Sequence, residues 1–254
     1  MRADGDGKVT ARVKLEVLGQ ELTVDMRLPA RPTRARELLP LYRGLAEHVM
    51  QAAVVGVNQA GRAVSCSKGC GACCRQLVPI AQLEAYRIRD LVAALPEPRR
   101  SVIRERFAAA RQRLAEAGLL APLEDPSLVT PGTAASFGDR YFAQGIPCPF
   151  LEDEACSIYE ERPVICREYL VTSPPGNCAH PTRETIATVP VPGSVYRAIS
   201  WLTSPAGAEQ PGWVPLVLAP EWADAHPEPE PDRTGPELAR TLFERLKGDP
   251  LPEK

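Results

Sequence analysis

Four thiols fall within nine residues: Cys66, Cys70, Cys73 and Cys74 lie in the string CSKGCGACCR, a C-x3-C-x2-C-C arrangement. The C-x2-C step lets two thiolates converge on one ion while N–H groups of the intervening turn point at the sulfurs. Gly69 and Gly71 permit the tight or positive-φ geometry such a turn needs. Adjacent Cys73 and Cys74 behave differently, because neighbouring side chains diverge by roughly 100° in a helix and about 180° in a strand. Both are not expected on one tetrahedral ion. One is left for a second metal, a different cluster iron, or packing. A second set, Cys148, Cys156, Cys166 and Cys178, has intervals too long for a knuckle but suited to loops wrapped around a site. Four plus four permits two four-thiolate sites, or one site drawn from both halves with spare thiols. Metal explains this supply better than disulfides in a reducing compartment.

The flanking residues bear on the same chemistry. Cys166 is expected in the first turn of a short helix opened by Pro163, where unsatisfied N–H groups favour a thiolate. Arg162 and Arg167 flank it and could offset thiolate charge, or else pair at the surface with Glu160, Glu161 or Glu168. Tyr159 is expected to pack over the site. His180, two residues beyond Cys178, reads as exposed rather than ligating, and Glu152, Asp153 and Glu154 read as a solvated loop tip.

The CSKGCGACCR segment, followed by CPFLEDEACSIYEERPVICREY, resembles the YkgJ-like cysteine-cluster family, described as zinc- or iron-chelating domains and often labelled iron–sulfur proteins. The likeness covers roughly residues 60–180. It implies metal or cluster binding by Cys66, Cys70, Cys73, Cys74, Cys148, Cys156 and Cys166, with Cys178 a less secure match. An all-cysteine supply suits a four-thiolate zinc site or a cluster. The family label and the Cys73–Cys74 pair favour iron–sulfur, of the 4Fe-4S type, with a redox or electron-transfer role and an unidentified redox or protein partner. Zinc held in a structural or chelating module is the alternative. Cys66, Cys70 and Cys73 also reproduce the C-x3-C-x2-C spacing of radical S-adenosylmethionine enzymes, giving a cluster-dependent transferase as a second alternative. Those enzymes set the motif after a barrel strand, whereas here a helical pattern precedes it.

The elements that must position these thiols are legible in part. Val9, Ala11, Val13, Leu15 and Val17, then Leu22, Val24, Met26 and Leu28, alternate across a turn near Gly19 and predict a β-hairpin. Helical spacing predicts a helix from about 40 to 55, one opened by Pro79 with Ile80, Leu83, Ile88, Leu91, Val92 and Leu95 on its face, and one from Pro98 capped by Gly118. Residues 119–147 read as loop with one element around Phe137 to Phe142. The runs Val195 to Leu202 and Trp213 to Leu218 are short buried elements of undecided type. Pro227 to Pro231 reads as an extended, solvated linker, and Leu238, Leu242, Phe243 and Leu246 make an amphipathic tail helix ending at Gly248.

The expected architecture is α+β and mostly α: a hairpin over 1–32, a cysteine-cluster domain over 33–205 and a Pro-rich extension over 206–254. With 30 basic against 32 acidic side chains and a net charge of −2, no global attraction to nucleic acid is expected. No apolar run reaches the roughly 18 residues of a membrane span, and the opening residues lack the order of a secretory leader, which predicts a cytoplasmic address. A Ser-His-Asp order, a phosphate loop, a dinucleotide fingerprint and H-E-x-x-H are all missing, so hydrolase, kinase and nicotinamide chemistry have no support.

Overall fold

The computed structural model describes residues 2–3, 7–17, 20–125, 128, 130, 132–182, 184–205 and 207–248. It is α+β and mostly α. Strands β1 (Arg2–Ala3), β2 (Lys8–Val17) and β3 (Gln20–Pro29) form an antiparallel sheet in that order, with Val13 opposite Val24. The predicted hairpin is therefore present, while its turn at 18–19 lies outside the described residues. Period-2 alternation puts Leu15, Met26 and Leu28 on one buried face. Helix α1 (Leu39–Gln59) carries Pro40 in its first turn, where the missing N–H costs no intrahelical bond.

The cysteine loop follows α1 and leads into β4 (Pro79–Ala81) and α2 (Gln82–Ala94). Pro79 thus opens a strand, not a helix. Ile80 pairs with Val214 of a distant segment, and the helix starts only after Ala81, whose N–H donates to the Glu84 carboxylate at 3.1 Å. Helix α3 (Arg99–Glu116) buries Ile103, Phe107, Ala110 and Leu114. Gly118, at φ +65°, closes it as expected, with the Leu119 N–H donating to the Leu114 carbonyl at 2.9 Å. The short α4 (Leu120–Glu124) and α5 (Ala134–Ala143) follow, then a tight hairpin of β5 (Leu151–Glu152) and β6 (Ala155–Cys156), and α6 (Val164–Glu168).

The two untyped runs resolve as α7 (Val195–Ser200) with a 3-10 turn and as β7 (Trp213–Pro215), antiparallel to β4, with another 3-10 turn leading into α8 (Ala219–Ala225). The tail helix α9 (Gly235–Gly248) docks on the body: Leu238, Leu242 and Phe243 share a core with the hairpin, α1 and α7. The segment before it is less free than its composition suggests. Glu228 meets Arg36 at 2.9 Å and Arg34 at 3.4 Å, and its side chain is only 14% exposed. A second core joins α2, α3, α8 and β7 to Phe150 and Ile158, and Cys148 and Cys156 pack against it. The cysteine site therefore sits where this second core meets loops. Among the described residues no helix is long and apolar enough to cross a membrane.

Candidate metal centre

The cysteine loop is held at both ends by backbone bonds to the second cysteine set. Ser65 N–H donates to the Val171 carbonyl at 2.9 Å, and Val171 N–H returns a bond to the Cys66 sulfur at 3.3 Å. At the other end Cys148 N–H donates to the Cys74 carbonyl at 2.7 Å. Between these points the chain winds through successive turns, closed by Cys70 N–H to Ser67, Cys74 N–H to Gly71 and Gln76 N–H to Cys73.

The two glycines serve different ends. Gly69 has φ +95°, a region side chains disfavour. Gly71 allows close approach, since a Cβ there would lie 2.3 Å from the Glu154 carbonyl oxygen and 2.6 Å from Leu151 Cδ1. The β5–β6 turn that presses on it has Asp153 at φ +49° and Glu154 at φ +58°, a left-handed pair that reverses the chain sharply. Arg75 binds the Glu154 carboxylate through two bonds of 2.6 and 2.9 Å, tying the loop to this hairpin. The acidic run is thus a turn tip, as expected, and one of its members clamps the cysteine loop.

All eight predicted cysteines line a single cavity of about 140 Å³, together with apolar side chains such as Leu77, Phe150, Ile158, Ile165 and Leu216. All eight are free thiols. Cys178, the least secure match, is buried in the same wall. His180 is exposed and outside the lining. Of the Cys, His, Asp and Glu side chains described, only cysteines line the cavity, while Ser67, Gln76, Tyr159 and Tyr169 add oxygen or nitrogen atoms to the same wall. Among the described residues no group of three or more Cys, His, Asp or Glu side chains is set to hold a single metal ion. The thiols stand around a space instead, roughly ten times the ~10–15 Å³ that one water centre requires.

Electrostatics disfavour thiolates in this set unless a cation accompanies them. Burial pushes the thiols of Cys66, Cys156 and Cys178 up from their ordinary value, Cys148 to about 12, and Cys166 well above the usual range. Cys73 is raised chiefly by its hydrogen bond with Cys74, then by burial. Charge on one thiolate opposes charge on the next, so several thiolates coexist only with a metal that neutralises them.

The short α6 that carries Cys166 is supported from behind by ionic groups of which Glu84 and Arg43 were not singled out in the sequence, and Glu161 and Glu168 only as surface partners of Arg162 or Arg167. Glu84, 2% exposed, accepts from the N–H groups of Ala81 and Val164, at 3.1 and 2.8 Å, so one carboxylate caps both α2 and α6. Glu168 accepts from Ser194 Oγ at 2.7 Å and from the Val195 and Tyr196 N–H groups, capping α7; burial pushes its carboxyl up to about 7. Arg43 grips the Glu161 carboxylate at 2.7 Å and its carbonyl at 3.0 Å. Glu84 had a readable signal, lying four residues before Ile88 on the face predicted to be apolar. The roles of Glu168 and Arg43 depend on long-range contacts with no local pattern.

The two arginines beside Cys166 part company. Arg167, 5% exposed, bonds Glu47 and the backbone carbonyls of Glu160 and Arg162 and is absent from the cavity lining. Arg162 lines the cavity, with its guanidinium 4.1 Å from the centre of the Tyr159 ring. Tyr159 packs over the site as expected, and Lys68 lies over the same ring at 5.0 Å. The sequence-based alternative of surface pairs with Glu160, Glu161 or Glu168 is therefore not what either arginine forms among the described residues.

Compared with known families, residues 65–188 match the family model CxxCxxCC, described as "Putative zinc- or iron-chelating domain". The match spans both cysteine sets, Cys178 included. Neither the curated proteins nor the solved structures give a match.

Proposed function

We propose, from the match of residues 65–188 to the zinc- or iron-chelating CxxCxxCC family model, that the chain uses its eight-thiol cavity to hold an iron–sulfur cluster of the 4Fe-4S type, in a redox or electron-transfer role. The observation that carries this reading is the convergence of Cys66, Cys70, Cys73, Cys74, Cys148, Cys156, Cys166 and Cys178 on one space that, among the described residues, no His, Asp or Glu side chain lines. A single zinc ion asks for four ligands at one point. A cavity wider than one ion, ringed by more thiols than one tetrahedron accepts, favours a polynuclear group. Such a cluster, when bound, takes up and releases single electrons at a potential set by charge, hydrogen bonding and solvent exposure.

The chain's own residues then divide the remaining tasks. The cysteines supply thiolates, of which four suffice for one such cluster and the others extend or support it. Leu77, Phe150, Ile158, Ile165 and Leu216 keep water from the sulfurs. The Val171 N–H donates to the Cys66 sulfur, the kind of bond that tunes a thiolate ligand. Ser67 and Gly69 line the cavity and are exposed, which brings the site close enough to the surface for exchange with a partner. The transferase alternative gains nothing from the fold: the sheets among the described residues are two- and three-stranded and antiparallel, with no barrel strand before Cys66.

Iron and acid-labile sulfide, measured with a visible spectrum on protein purified without oxygen, test this reading. Equimolar iron and sulfide with thiolate-to-iron absorption are expected. Zinc without sulfide contradicts the cluster and leaves a chelating module.

A further inference from the structure

We propose that Arg162 is the charge-compensating residue of the metal centre, held over the thiols by Tyr159. This deepens the metal-binding reading above and rests on it. Arg162 is the only positively charged residue lining the cavity among the described residues; every other lining group is a thiol or is uncharged. The competing cations are committed elsewhere: Arg167 to Glu47 and two carbonyls, and Arg43 and Arg87 to Glu161. Lys68 reaches the same ring, but its side chain is 70% exposed and paired with Glu160.

Three features fix Arg162 in this place. It closes the 3-10 turn Tyr159–Glu161 and precedes Pro163, which restricts it to an extended backbone, observed at φ −55° and ψ 144°. Its guanidinium stacks on Tyr159 at 4.1 Å, an arrangement open to a planar delocalised cation and poorer for an ammonium. Its Nε is buried with no hydrogen-bond partner. A buried guanidinium N–H without an acceptor is costly. The acceptor this geometry lacks is a sulfur of the loaded centre.

The test compares the wild type, Arg162→Gln, Arg162→Lys and Lys68→Gln, each purified anaerobically with its native metal. Metal release is followed under excess chelator, and the midpoint potential is measured where the metal is iron. Arg162→Gln is expected to lose metal on the order of tenfold faster, the effect of one compensating unit charge at short range, and to have a lower midpoint potential. Arg162→Lys recovers part of both losses, since it keeps the charge but not the stacked fork. Lys68→Gln matches the wild type. A circular dichroism spectrum and melting curve for each variant separate charge loss from misfolding, because Arg162→Lys and Arg162→Gln remove the same ring contact and differ in charge. Equal release and equal potential in Arg162→Gln, with metal present in the wild type, overturn the role of Arg162 alone. A wild type without metal overturns the metal-binding reading itself.

Discussion

Replacing Gly71 by alanine adds one methyl group at the tightest point of the structure. The new Cβ would lie 2.3 Å from the Glu154 carbonyl oxygen and 2.7 Å from its carbon, against a preferred separation of about 3.5–4.0 Å. Both neighbours are backbone, so no rotamer change relieves the contact. The cysteine loop and the β5–β6 turn must separate by about 1 Å or more, on the same optimum, which strains the Arg75–Glu154 pair and the bond from Cys148 N–H to the Cys74 carbonyl. Overpacking of this kind costs about 1–3 kcal/mol, and one weakened backbone bond adds about 1 kcal/mol. For a chain of this size that total corresponds to a fall in Tm of roughly 4–16 °C. Metal stoichiometry should fall with it, because Cys70, Cys73 and Cys74 move relative to Cys148 and Cys156. The assay is an anaerobic thermal melt with metal analysis, run beside Gly44→Ala. Gly44 lies inside α1 with open space where its Cβ would go, so that change should stabilise by about 0.5–1 kcal/mol. A Gly71→Ala protein that melts with the wild type and keeps its full metal content refutes the reasoning.

Other consequences follow from the same contacts. Glu84→Ala leaves the Ala81 and Val164 N–H groups buried without an acceptor and should cost about 1–3 kcal/mol for each, seen in denaturant unfolding, with Glu84→Gln much milder. Glu161 is pushed up by burial, but its bonds from Arg87 and Arg43 outweigh this and hold its carboxyl below the usual range. Its contribution is therefore present above the unfolded pKa and lost as pH falls through the lower folded one. Glu161→Gln should accordingly flatten the acid limb of a stability–pH curve, and an unchanged limb would count against the pairing. Leu242→Ala, in the fully buried contact of α9 with the hairpin core, should cost about 2–5 kcal/mol by chemical denaturation. Anaerobic removal of the metal should raise hydrogen exchange across 65–78 and 148–178, while α1 and the hairpin stay protected.

Where sequence and structure agree, the signal was local. The alternation of Val9 to Leu28 suffices for a hairpin because period 2 is written in adjacent residues, and the Ile103 to Leu114 line with Gly118 suffices for α3 and its end. Pro79 misleads because a proline at a helix start and a proline at a strand start look alike in sequence. The deciding partner, Trp213–Pro215, is remote. The eight cysteines stood out by type and spacing, yet their meeting in one cavity depends on Gly71 admitting the β5–β6 turn and on Ser65 and Val171 bonding across the chain. Glu84 showed only as a charge on an apolar face, its bond to the Val164 N–H being remote, and Pro227 to Pro231 read as solvated because the grip of Arg34 and Arg36 on Glu228 is invisible in composition.

X-ray absorption at the edge of the bound metal, on protein prepared without oxygen, tests the central claim most directly. The account predicts a first shell of sulfur alone, with a short iron–iron vector from a cluster. Nitrogen or oxygen ligands in that shell would contradict an all-thiol centre, and a lone metal with four sulfurs at about 2.3 Å would contradict the cluster while leaving the thiol site intact.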